Sequence, residues 1–205
     1  MKPLIVFDVE TNGLPDFKSP SDGPGQPHVT QLAAELFDED TGDVLSYMDF
    51  LIKPEGWTIP EDLQKLTGIT MERATRFGIP IADALKVFIP MWQRAVIRIA
   101  HNETFDARMI RIEMFRQLDR DDPFHDQWKS GPAFCTQTKS TKIINLPPTE
   151  KMKAAKRFHA KSPNLGEAYE FFSGKKLEGA HNAAVDIAAC KVVYRGIQAH
   201  QAVPA

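Results

Sequence analysis

Apolar and polar residues along the chain alternate between the two-residue period of strands and the wider period of helices. Leu4 to Val9 is a compact apolar run of the kind buried at a sheet centre, and Thr30 to Phe37 and Val44 to Ile52 read as two more strands. Asp40-Thr41-Gly42-Asp43 between the last two is a hairpin turn, so the first three strands form a meander with antiparallel pairing available. The spacing then turns helical. Thr58, Pro60, Glu61 and Gly68 supply an N-cap, a first-turn proline, a first-turn acid and a terminal glycine for a short helix. Ile81 to Gln93 carries apolar residues at helical spacing, with Pro90 set to end or kink it. Ala95 to Ala100 returns to strand, and Asn102 is placed to cap a helix from Glu103 to Leu118. Two closing helices span Asn164 to Phe172 and Ala183 to Ala199.

Two stretches follow neither period. Leu14 to His28 holds four prolines and two glycines, which excludes regular structure. Loops of this length in compact domains tend to be functional or mobile. Because this one leaves the sheet right after Glu10, it is expected to be a mobile flap. Asp119 to Pro163 is the least regular region. It opens on an acidic solvated loop, and its later part, Lys139 to Lys161, holds seven Lys or Arg against one Glu. The expected architecture is one α/β domain over residues 1–205, a mixed central sheet with helices on its faces.

Composition narrows the class. With 205 residues, 42% hydrophobic and 25% charged, the chain excludes collagen-like, disulfide-scaffold and disordered proteins. A net charge of -2 excludes a polybasic protein, so any nucleic-acid contact must come from local segregation of charge. Cys135 and Cys190 stand in no metal-binding spacing and are expected as reduced, packed thiols. The N-terminal run is too short for a secretory signal, and no stretch approaches the roughly 18 apolar residues of a membrane span. A cytoplasmic protein without membrane contact is expected.

The candidate chemistry lies in carboxylates. Asp8 and Glu10 are two apart at the end of the first strand and share a face, where like charges raise each other's pKa unless a cation intervenes. Alone, such a pair reads more often as a solvated strand end. The apolar Leu4-Ile5-Val6-Phe7 favours a central strand, whose C-terminal end opens into the crevice where open α/β sheets bind ligands. Asp106 and Asp186 each sit in the first turn of a helix, a position that also serves the helix dipole.

Their order along the chain carries more than any one of them. Asp8-x-Glu10, then His101-Asn102-x-x-Phe105-Asp106, then His181-x-x-x-x-Asp186 resemble the three motifs of the DEDDh family of DnaQ-like 3'-to-5' exonucleases. Phe7 to Leu14 is similar to that family's first motif along its length, and Leu66-Thr67-Gly68-Ile69 to a segment between the first two. The resemblance runs from Leu4 to about Arg195. It implies a ribonuclease H-like fold and two Mg2+ or Mn2+ ions held by Asp8, Glu10, Asp106 and Asp186, a hard oxygen set suited to such ions. It also implies His181 as general base, since histidine ordinarily titrates near neutral pH. Asn182 stands where the tyrosine subfamily would carry its tyrosine, which favours the histidine class.

The resemblance further implies that Thr11, Leu14, Thr67, Gly68 and Ile69 hold the terminal nucleotide. Asn102 and Phe105, beside Asp106, join them as substrate candidates. Lys151, Lys153, Lys156 and Arg157 of the basic segment are a candidate track for the backbone, with a solvated basic surface as the equal alternative. The remaining histidines read as structural: His101 at a strand end, His159 in the basic segment, and His28, His125 and His200 on the surface. Trp57, Trp92 and Trp128 read as core or loop anchors. The expected activity is removal of nucleoside monophosphates from the 3' end of single-stranded DNA. RNA trimming and a catalytically inactive nucleic-acid-binding module are the alternatives. Only 19 residues follow Asp186, an expectation against a polymerase-binding tail.

Overall fold

The computed structural model describes residues 1–202. Strands β1 (Pro3–Thr11), β2 (Val29–Asp38) and β3 (Val44–Leu51) precede helices α1 (Glu61–Thr67), α2 (Met71–Phe77) and α3 (Ile81–Arg94). Strand β4 (Arg98–Ala100) leads into α4 (Glu103–Gln117) and α5 (Phe124–Ser130). Then come β5 (Ala133–Cys135), α6 (Thr136–Ile144), α7 (Glu150–Ala154), α8 (Leu165–Ser173) and α9 (Ala183–Ala202). The sheet order is β3-β2-β1-β4-β5. β1 pairs antiparallel with β2 and β2 with β3, while β4 runs parallel to β1 and β5 parallel to β4. The meander and the mixed sheet are as the sequence predicts.

Helices cover both faces of the sheet, so β2 is buried almost throughout and β1 over Leu4 to Phe7 and at Val9. The period of two in β1 divides its residues. Ile5, Phe7 and Val9 face the layer built by α3, α4 and Trp128 of α5, whereas Leu4 and Val6 face Ile187, Cys190 and Tyr194 of α9. All three tryptophans act as packing anchors: Trp128 and Trp92 join the main cluster, and Trp57 stacks on His28 with ring centroids 4.9 Å apart. Both cysteines are free thiols, and Cys190 is buried.

Several local expectations need correction. Pro90 neither ends nor shortens α3, which continues to Arg94. Phe88, Ile89, Met91 and Trp92 around it are buried, and their packing outweighs the roughly 3 kcal/mol that an interior proline costs. Pro60, not Thr58, occupies the N-cap of α1, with no side-chain cap. Gly68 closes that helix in the left-handed region at φ 70°, where a side chain would be strained. Asn102 caps nothing with its side chain. It adopts φ 65°, a conformation asparagine tolerates, and its carbonyl accepts from the Phe105 N–H at 2.8 Å. His125 is buried, stacked on Phe115 at 3.9 Å, and not on the surface.

The loop 14–28 lacks regular structure, as expected, but it is no free flap. Gln26 ties it internally, accepting from the Asp16 N–H and donating to the carbonyls of Asp16 and Pro20, each at 3.0 Å. Arg116 of α4 donates to the carbonyls of Gln26 (2.6 Å) and Pro27 (2.9 Å), Arg108 to that of Ser19, and Arg120 pairs with Asp22. These bonds hold the loop along the outer face of α4 and leave Leu14, at its start, 85% exposed.

Candidate active site

Asp8 and Glu10 follow Leu4 and Val6 on the face of β1 that α9 covers. The helix starts where the sheet's apolar residues stop. Its first turn is fixed from two sides: the Asn182 side chain accepts from the Ala184 N–H at 3.1 Å, and the Ala183 N–H donates to the buried Gln31 side chain of β2, also at 3.1 Å. Asp186 therefore arrives over Asp8 and Glu10, and one carboxylate oxygen from each of the three lies within 4.8 Å of the others.

Asp106 comes from the opposite side of β1. β4 is short and pairs only with Ile5 and Val6, which leaves the β1 edge bare further along. The Val9 N–H on that edge donates to the Asp106 carboxylate at 3.2 Å, and Asp106 is 3% exposed. His181 lies just ahead of α9 in the left-handed region at φ 65°, with its side chain exposed and its backbone N–H donating to Asp186 Oδ2 at 3.1 Å. These five residues line one cleft of about 410 Å³, together with Val9, Thr11, Leu14, Leu63, Leu66, Thr67, His101, Asn102 and Phe105.

Each carboxyl titrates above its ordinary range. Burial raises Asp8 well above it, with the charges of Asp106, Asp186 and Glu10 adding to the effect. Burial raises Asp106 likewise, against the Val9 N–H bond that favours its ionised form. Glu10 rises to about 7 through burial and the charge of Asp186, and Asp186 to about 6 through burial, opposed by the His181 N–H. Among the described residues no lysine or arginine forms an ion pair with any of the four. Asp186 Oδ1 is buried without a hydrogen-bond partner among those residues. Uncompensated like charges and an orphaned carboxylate oxygen, all hard donors, fit divalent cations of the Mg2+ or Mn2+ type.

The raised carboxyl values make stability depend on pH. Groups whose pKa is higher folded than unfolded contribute stability that is complete below about pH 4 and lost as pH rises through their folded values of about 6 and 7. In EDTA the melting temperature should therefore fall between pH 5 and 8. Saturating Mn2+ at pH 8 should restore roughly 5–10 °C, the effect of a ligand at about 100 times its Kd. Differential scanning calorimetry across that range checks both. A cation-insensitive melting temperature would contradict the cluster's assignment.

Of the residues expected at the substrate, Thr11, Leu14, Thr67, Asn102 and Phe105 line the cleft. Ile69 does not: it is 2% exposed and packs with Ile59 and Ala74, so it supports the segment from below. Gly68 serves as the C-cap of α1 and is absent from the lining. Leu63 and Leu66 also line the cleft, neither of them among the expected substrate residues. Their three-residue spacing on α1 was the available signal, and Leu66 is 51% exposed at the lip of the cleft. His101 is positioned by structure: its Nδ1 meets Thr136 Oγ1 at 2.9 Å and its Nε2–H donates to the Pro163 carbonyl at 3.1 Å, and burial lowers its pKa.

A five-stranded mixed sheet flanked by helices, with acidic side chains gathered where β1 ends, has the ribonuclease H-like fold. A family model described as Exonuclease matches residues 5–194, and the chain belongs to that family. Ribonuclease T of Actinobacillus pleuropneumoniae serotype 5b (strain L20) is 29% identical over 133 residues, covering 59% of this chain and 57% of that protein. Among solved structures, E. coli exonuclease I in complex with a dT13 oligonucleotide aligns with 96% of this chain and 41% of its own at a TM-score of 0.71 and 17% identity. A 3'-exonuclease described in 3'-end specific recognition of a histone mRNA stem-loop aligns with 97% of this chain and 64% of its own, at 0.67 and 14%. The chain thus spans less than two thirds of the length of each of these relatives.

Proposed function

We propose that the protein is a divalent-metal-dependent 3'-to-5' exonuclease that removes nucleoside monophosphates from single-stranded DNA. The observation that carries this reading is the convergence of Asp8, Glu10 and Asp186 within 4.8 Å, with Asp106 and His181 in the same cleft, in a chain of the exonuclease family. Two Mg2+ or Mn2+ ions bound by the four carboxylates would offset their charge, polarise the scissile phosphate and activate water for in-line attack. His181, exposed at the rim, takes the proton from the attacking water. Leu14, Leu66 and Phe105 give the terminal base an apolar seat, and Thr11, Thr67 and Asn102 add polar contacts to its sugar and phosphate.

The presence of all five catalytic residues in one cleft argues against an inactive binding module. RNA is the second reading, favoured by the similarity to ribonuclease T and by the fold shared with an exonuclease acting at an mRNA stem-loop. Turnover of matched DNA and RNA oligonucleotides distinguishes the two, because a preference for one sugar rests on contacts at the 2' position.

The basic segment supports a backbone track. Lys151, Lys153, Lys156 and Arg157 are all exposed. Replacing the four together with Gln should weaken oligonucleotide binding and reduce the slope of log K against log salt by up to about 3, at roughly 0.7 per lost phosphate contact on a single strand. An unaltered slope would remove the segment from the substrate path.

A further inference from the structure

α7 is followed by a turn through Lys156, which sits in the left-handed region at φ 56°. Two residues later Phe158 stands 72% exposed, between the exposed Arg157 and His159. The turn is held in place: the Arg157 N–H donates to the Met152 carbonyl at 2.8 Å, the Lys161 N–H to that of Leu146 at 3.0 Å, and the Lys161 ammonium pairs with Glu167. Other exposed phenylalanines have partners. Phe17 lies under Arg108, Phe77 under Arg76, and Phe171 packs edge-on against Phe172. Phe158 is thus a large apolar ring displayed among cations on an ordered turn.

The turn is also joined to the active-site cleft. Pro163, five residues after Phe158, accepts from Nε2–H of His101, and His101 lines the cleft. Five residues reach at most about 18 Å, so Phe158 lies within a few nucleotides of a chain emerging from the cleft. Lys151, Lys156 and Arg157, around the same turn, have no ion-pair partner among the described residues and match the charge of a phosphate backbone.

We infer that Phe158 is a stacking platform for a base of the single strand upstream of the cleaved nucleotide. The inference rests on the exonuclease reading of the cleft and adds to it a second anchoring point. Stacking is tolerant of sequence and independent of charge, so Phe158 sets how firmly a long strand is held and Lys151, Lys156 and Arg157 set its salt dependence.

The test compares Phe158→Ala, Phe158→Leu and Phe158→Trp on two DNA substrates with Mn2+: a long single-stranded oligodeoxynucleotide and a dinucleotide too short to reach the turn. The ratio of KM for the oligonucleotide to KM for the dinucleotide should rise about 5- to 100-fold in Phe158→Ala. Phe158→Leu should show most of that rise, and Phe158→Trp should restore the wild-type ratio. The salt slope of oligonucleotide binding should stay at its wild-type value in all three. A wild-type ratio in Phe158→Ala, or full retention by Phe158→Leu, overturns the stacking role. Failure of the wild-type protein to cleave either substrate overturns the exonuclease reading itself, a distinct result.

Discussion

Asp8→Asn is expected to eliminate nuclease activity and, at the same time, to make the metal-free protein more heat-stable at pH 8. Both effects come from one cause. Asp8 is half-buried beside Asp106, Asp186 and Glu10, and its removal from water, with their charges adding to the effect, holds its carboxyl well above the ordinary range. The site stores repulsion that a divalent cation relieves and that Asn, of the same shape, removes permanently. Loss of electrostatic stabilisation at the reacting phosphate should lower kcat on the order of 10³-fold or more. Turnover with saturating Mn2+ reads the first effect and the melting temperature in EDTA the second. An inactive and destabilised variant would show that Asp8 serves the fold, and an active one would overturn the site.

The second large effect is expected from His181→Asn. His181 occupies the left-handed region at φ 65°, which Asn adopts readily, and its tie to Asp186 is made by the backbone N–H, not the ring. The substitution therefore removes the imidazole and little else. On the proposed reading His181 is the general base, a role worth a factor of about 10²–10⁴, so kcat should fall by that amount while the Mn2+-induced rise in melting temperature persists. Loss of both together would assign His181 a structural role at Asp186. Undiminished kcat would give proton acceptance to another group.

The gathering of acidic side chains was legible because each of its parts is local in sequence. Asp8 and Glu10 share a face by strand period alone, and Asp106 and Asp186 each lie one helical turn past a strand end or a loop. The meander was legible for the same reason, through apolar runs joined by a short turn. What escaped reading lies where burial and polarity disagree. α6 turns Thr136 and Ser140 inward, fully buried, so its buried face reads as polar and the period vanishes. α2 buries only Ala74, and β5 is three residues long, too little to show any period. The loop 14–28 read as mobile because its anchors, Arg108, Arg116 and Arg120, are some 90 residues away on and after α4. The same distance hid the support for α9, since nothing local to Gln31 marks it as the acceptor for Ala183.

On the proposed function, one acidic cleft removes nucleotides from 3' ends. This function is tested most directly by incubating single-stranded DNA, labelled at the 5' end in one sample and at the 3' end in another, with Mg2+ and then with EDTA in excess. The expected result is stepwise shortening of the 5'-labelled strand, immediate release of labelled mononucleotide from the 3'-labelled strand, and arrest of both by EDTA and by Asp8→Asn. Release of the 5' label as mononucleotide, internal fragments, or cleavage that persists in EDTA would contradict it.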